Sequence, residues 1–209
     1  MKGEWNALLQ IDGENYKNTD GHIYFKDMGE ALTNVLKSKP KYYLGMQRFA
    51  KEDRYPKQIE KFLKDNDLEN LNWVNADVFH HASIKGYFDQ FFDLLTKRDD
   101  PVILVGPKYL ENLGKFYNLH IEIPEKNCWL EREKILDRVK RLLFLNKNVV
   151  VLFVASMPAN FMIDVLYNEF GDKHTFLDMG SVFDVYVGKC TRGYHKKVLE
   201  RLKANGTIA

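Results

Sequence analysis

Two cysteines in 209 residues, Cys128 and Cys190, are too few for a disulfide framework, and their separation is not that of a zinc site. A disulfide-stapled fold is excluded, and a reducing, cytoplasmic setting is the expectation, the host cytoplasm if the chain is viral. An excess of one charge is also missing. Thirty-one Lys and Arg against 29 Asp and Glu leave +2, so no global field draws the chain to nucleic acid or membrane, although local patches remain open. No apolar run approaches the roughly 20 residues of a membrane span. Met1-Lys2-Gly3-Glu4-Trp5 does not read as the basic start of a signal peptide. Gly-x-Gly-x-x-Gly and the Walker loop are lacking, which leaves a standard dinucleotide or P-loop site unsupported. Gly-x-Ser-x-Gly, the usual hydrolase elbow, is lacking too.

What is present is an ordinary globular composition, 45% apolar and 29% charged, which excludes wholesale disorder. Its length suits one domain, residues 1–209, with a substantial core. The apolar pattern alternates strands with helices, giving one doubly wound α/β domain with a mostly parallel sheet of about seven strands. Helical spacing predicts helices over 26–38, 56–64, 87–95, 108–117, 130–145 and 159–170. Short apolar or alternating runs predict strands over 41–46, 71–79, 101–107, 119–124, 149–155 and 175–180, that over 119–124 nearer the sheet edge. The strand over 71–79 is expected to break into His80-His81. Adjacent histidines on an extended chain point to opposite sides, so a structural or substrate-contacting role is expected there rather than metal binding.

The first strand ends at Ile11-Asp12-Gly13-Glu14. Asp-Gly is a strong turn dipeptide, and the motif alone reads as a turn. The same two carboxylates, Asp12 and Glu14, suit a divalent cation that shares a phosphate-bearing ligand. Val105-Gly106-Pro107 reads as a strand ending in a tight turn, where backbone amides can receive phosphate or the chain merely reverses. Near the end, Lys189, Arg192, Lys196, Lys197, Arg201 and Lys203 face Glu200 alone, a local +5. A basic helix near 192–204 is expected there, either a solvated face or a contact for phosphate or nucleic acid.

Several of these segments fall in a familiar order: Ile11 to Glu14, Val105-Gly106-Pro107, Ile123 to Trp129, the buried strand ending at Ser156, and Leu177-Asp178-Met179-Gly180 with Asp184. Together they resemble the GT-D type of glycosyltransferase, from about residue 8 to residue 188. The resemblance implies a Rossmann-like fold and a nucleotide-sugar donor. It implies a divalent metal, Mn or Mg, held by Asp12 and Glu14. It places Asp178, Gly180, Ser181 and Asp184 in the donor pocket, with Gly13, Gly106, Pro107, Asn127, Trp129 and Ser156 as further donor contacts. Two departures stand out: Phe79-His80-His81 replaces an Arg-containing motif, and Ser156-Met157-Pro158 replaces Gly-Pro.

The expected function is metal-dependent transfer of a sugar from a nucleotide sugar to a hydroxyl on a glycan, a glycoprotein or a hydroxylated DNA base. Asp12 and Glu14 serve the metal, which stabilises the departing diphosphate as a Lewis acid. An inverting reaction needs a base, for which Asp77, His80, His81, Asp178 and Asp184 are candidates. The alternative is a non-catalytic nucleotide or nucleotide-sugar binding module, to which the same acidic motif is suited. A methyltransferase ranks last, because no Gly-rich turn follows the first strand.

Overall fold

The computed structural model describes residues 16–17, 21–46, 55–114 and 116–205. Asp12, Gly13 and Glu14, and the strand that precedes them, lie outside the described residues. The chain divides into two compact units, Met1–Asp77 and Val78–Ala209.

In the first unit, β1 (Tyr16–Lys17) pairs antiparallel with β2 (Ile23–Tyr24), and α1 (Lys26–Lys37) follows. Met28, Leu32, Val35 and Leu36 recur at helical spacing and are the side chains α1 buries. The helix ends where Lys39 takes φ 52° ahead of Pro40, which cannot continue it. β3 (Leu44–Met46), α2 (Tyr55–Asp65) and β4 (Trp73–Asn75) complete the unit, with β3 and β4 parallel and Leu44 opposite Trp73. Leu36, Leu44, Ile59, Leu63 and Leu68 form its core. Each such burial contributes about 1.5–3 kcal/mol.

The second unit is built on four parallel strands in the order β6-β5-β7-β8: β5 (Val102–Pro107), β6 (Leu119–Ile123), β7 (Val150–Phe153) and β8 (Thr175–Asp178). β5 and β7 are buried along their whole length, which is why they read as unbroken apolar runs. Their side chains alternate between two cores. Ile103, Val105, Val151 and Phe153 meet α5 (Arg132–Leu145) and α6 (Pro158–Phe170). Val102, Leu104, Val150 and Leu152 face the aromatic cluster supplied by α3 (Val78–Lys85) and α4 (Phe88–Thr96). The last helix, α7 (His195–Ala204), is pinned by the buried Val198 and Leu202.

The chain is therefore α/β, with eight strands and seven helices among the described residues, two of the strands only two residues long. Four expectations need correction. Among the described residues the strands form one four-stranded parallel sheet and two separate two-stranded pairs, one parallel and one antiparallel, not a single sheet of about seven. The strand foreseen over 71–79 stops at Asn75, whose side-chain oxygen accepts the Asp77 N–H at 2.9 Å. That local turn frees the following segment for α3, so His80 and His81 sit on a helix, not on extended chain. The helix foreseen over 108–117 is a 3-10 turn, Lys108–Asn112, with Gly114 at φ 121° beyond it. Finally, β5 runs through Pro107, so Gly106 lies within the ladder opposite Glu122 and not in a turn.

Candidate functional site

Parallel strands deliver their carboxyl ends to one edge, and in open α/β sheets ligands bind there. The pairing register fixes which residues share that edge. Pro107 lies opposite Ile123, Val105 opposite Phe153, and Phe153 opposite Asp178. The segments that leave these positions are Lys108-Tyr109 after β5, Pro124 to Trp129 after β6, Val154 to Met157 after β7 and Met179 to Asp184 after β8.

Two of these segments contain strained backbone. Ser156 has φ 54° and Asn127 has φ 56°, the left-handed region that non-glycine residues enter at a cost. The Cys128 thiol ties the two together by donating to the Ala155 carbonyl at 3.2 Å. Burial pushes that thiol up to about 12, so it stays protonated as a donor. Trp129 is only 2% exposed, with the Arg132 guanidinium 4.0 Å from one ring centroid and Phe161 packed at 5.2 Å. Its ring anchors the loop and has no open face for a donor.

After β8, Asp178 Oδ1 accepts the Gly180 N–H at 3.0 Å, and Gly180 turns at φ 54°. This turn feeds Val182 and Phe183 into the core and brings Asp184 inside at 3% exposure. Asp184 organises the surroundings. Tyr109 Oη donates to its Oδ1 at 2.9 Å, and Thr191 Oγ1 donates to its Oδ2 at 2.5 Å. Burial and the Asp184 charge both push the Tyr109 phenol far above its ordinary value, which keeps it a donor.

The segment 188–194 thus acts as a strap across the ends of β5 and β8. Lys189 Nζ stands 3.3 Å from the Tyr109 ring centroid and 3.1 Å from Glu125 Oε1. The Thr191 N–H donates to Nδ1 of the fully buried His195 at 3.1 Å. Tyr194 Oη and Ser181 Oγ share a hydrogen bond of 3.3 Å, and His80 stacks on the Tyr194 ring at 4.1 Å. Burial lowers His195 from its ordinary value, with Asp184 opposing the shift and Arg192 and His80 reinforcing it.

Beside the strap a cavity of about 860 Å³ opens against Lys108, Tyr109, Pro124, Glu125, Glu131 and Arg138.

No family model, no curated protein and no solved structure matches the chain. The geometry is left to speak for the site. Pro107, Asn127, Ser156, Asp178, Gly180, Ser181 and Asp184 all lie at or just beyond the carboxyl ends of the four-stranded sheet. Gly106 lies one step inside it. There a Cβ would meet Leu110 Cδ1 at 2.8 Å and Val154 Cβ at 3.3 Å, so close packing accounts for this glycine. His80 reaches the strap from α3, while Asp77 ends the first unit. Asp12, Gly13 and Glu14 lie outside the described residues. Among the described residues no group of three His, Cys, Asp or Glu side chains is placed to hold a metal ion.

Sequence reasoning missed Tyr109, Thr191 and His195, and it named Lys189 only as one cation of the basic tail. Thr191 and His195 gave no signal, since Thr191 lies in irregular chain ahead of α7, which begins at His195. Tyr109 gave none, because its partner Asp184 is 75 residues away.

Proposed function

We propose that the chain is a metal-dependent glycosyltransferase with a Rossmann-like donor sheet, moving a sugar from a nucleotide sugar to a hydroxyl acceptor. The observation that carries the reading is the convergence of the donor-pocket residues on one sheet edge. Segments that resemble the GT-D family lie far apart in sequence, from residue 105 to 184, yet meet at the carboxyl ends of four adjacent parallel strands.

A divalent metal, which Asp12 and Glu14 would hold, would supply charge for the departing diphosphate. The chain's own residues do the rest. The Ser156 turn leads into α6, where Pro158 has no N–H and the Ala159 and Asn160 N–H groups already donate to the Ser156 and Met157 carbonyls at 3.0 and 3.2 Å, so what this end offers an anion is the positive end of the helix dipole. Lys189 places a cation between the ends of β5 and β6. Both Asp184 oxygens accept hydrogen bonds inside the protein, which gives this residue the work of holding the strap. Asp178 is the half-buried carboxylate at the same edge, and it is the choice for the base.

A binding module that senses a nucleotide sugar without turning it over is the second reading. It is favoured by the closed environment of Asp184, which subtracts one candidate from the possible bases. Transfer of labelled sugar in the presence of Mn separates the two. Asp12→Ala and Glu14→Ala are each expected to abolish transfer while circular dichroism is unchanged. Full transfer by either variant removes the metal role, and no transfer or donor hydrolysis by the parent chain leaves the sensor.

A further inference from the structure

The outer face of α7 does not belong to the sheet-edge site, and its chemistry points elsewhere. His195, Val198 and Leu202 turn inward and fix the helix, so Lys196, Lys197 and Lys203 project outward from a rigid support. Arg201 is spent on the inner side. It lies 3.6 Å from Asp89 and its guanidinium fills the space that a Cβ on Gly86 would need. That contact sets the end of α3, with exposed Lys85, beside the second half of α7. Arg192 is exposed just before the helix begins.

Five cations, Lys85, Arg192, Lys196, Lys197 and Lys203, therefore share a surface with one exposed acid of α7, Glu200. The local charge is +4 in a chain whose total is +2, so the rest of the molecule is on balance negative. A solvated helix has no need of such segregation. From this asymmetry we infer that the α3–α7 face binds the phosphate backbone of a nucleic acid.

The choice of nucleic acid over a membrane surface follows from what stands among the cations. No exposed large apolar side chain lies on α7, so an insertion element for lipid is missing from that helix. Instead the stacked pair His80–Tyr194, both partly exposed, sits at its start next to Arg192. An aromatic surface beside a row of cations is the arrangement that accepts a base while phosphates are neutralised. Ten residues of helix span about 15 Å, enough for roughly four phosphates along one strand.

Fluorescence anisotropy of the full chain with a labelled 20-base-pair duplex and with the matching single strand tests this. Four phosphate contacts predict a slope of log K against log salt of about −3.6 for the duplex, a loss of about a hundredfold between 50 and 200 mM KCl. Lys196→Ala with Lys203→Ala is expected to flatten that slope by about 2 and to leave the far-ultraviolet circular dichroism unchanged. Two results overturn the proposal: no binding of either nucleic acid at 50 mM KCl, or a slope that the double variant does not change. Stronger binding to vesicles of phosphatidylserine and phosphatidylcholine than to either nucleic acid overturns it in favour of a membrane.

Discussion

Gly106 shows how one residue serves packing where the sequence suggested chemistry. As a glycine after an apolar run it read as a turn, either receiving phosphate or merely reversing the chain, but it sits in β5 with Leu110 and Val154 against the place of its missing side chain. Leu110 is completely buried and has no room to withdraw. Gly106→Ala is expected to destabilise the fold by about 1–3 kcal/mol, read as a lower urea midpoint with an unchanged m-value. An unaffected midpoint would return Gly106 to the list of ligand contacts. Trp129 teaches the same lesson. Nothing in its neighbours along the chain reveals that Arg132 and Phe161 cover the ring, one from the next turn and the other from α6.

Elements with a strong period were legible, and those decided by side-chain hydrogen bonds were not. The spacing of Met28, Leu32, Val35 and Leu36 gave α1 to within a residue, and the apolar runs gave β5 and β7, because burial alone decides them. The boundary between β4 and α3 was missed because a single Asn75 oxygen settles it. The strap was missed for the same reason, being held by Asp184, Tyr109 and Thr191 with no apolar pattern of its own.

That strap carries a pH dependence. His195 accepts the Thr191 N–H through Nδ1, and burial lowers its pKa in the folded state below the ordinary 6.5. The groups around it are Asp184, Arg192, His80, Tyr194 and the Ser181 backbone. A depressed pKa means that the unfolded chain binds the proton more tightly, so stability is fully present above pH 6.5 and falls as the pH drops toward the folded value. His174, which burial also lowers, adds a slope of the same sign. Urea unfolding between pH 8 and pH 5 is expected to show this decline, and His195→Gln to reduce its steepness. An equal slope in the variant would mean that His195 is not the group responsible.

For the molecule as a whole, the α/β class was legible because alternating strands and helices leave a composition and period that no local detail disturbs. The division into two compact units was not, since no Gly-rich or Pro-rich linker marks residue 77. No helix among the described residues is long and apolar enough to cross a membrane. Lys85, Lys196, Lys197 and Lys203 stand apart from the residues at the sheet edge, whereas Arg192, Tyr194 and His80 belong to the strap, so the Lys196→Ala, Lys203→Ala variant tests the proposed nucleic-acid binding separately from the proposed sugar transfer.

The most direct test of the central claim is the melting temperature of the full chain with a panel of nucleotide sugars, each with and without Mn. A ligand at a hundredfold over its Kd stabilises by about 2.7 kcal/mol, which raises the midpoint by about 5–11 °C in a protein of this size. The expected result is such a rise for one donor with Mn present, absent without Mn and absent in Asp12→Ala. A donor that stabilises the chain equally without metal, or a panel in which no nucleotide sugar moves the midpoint, contradicts the assignment.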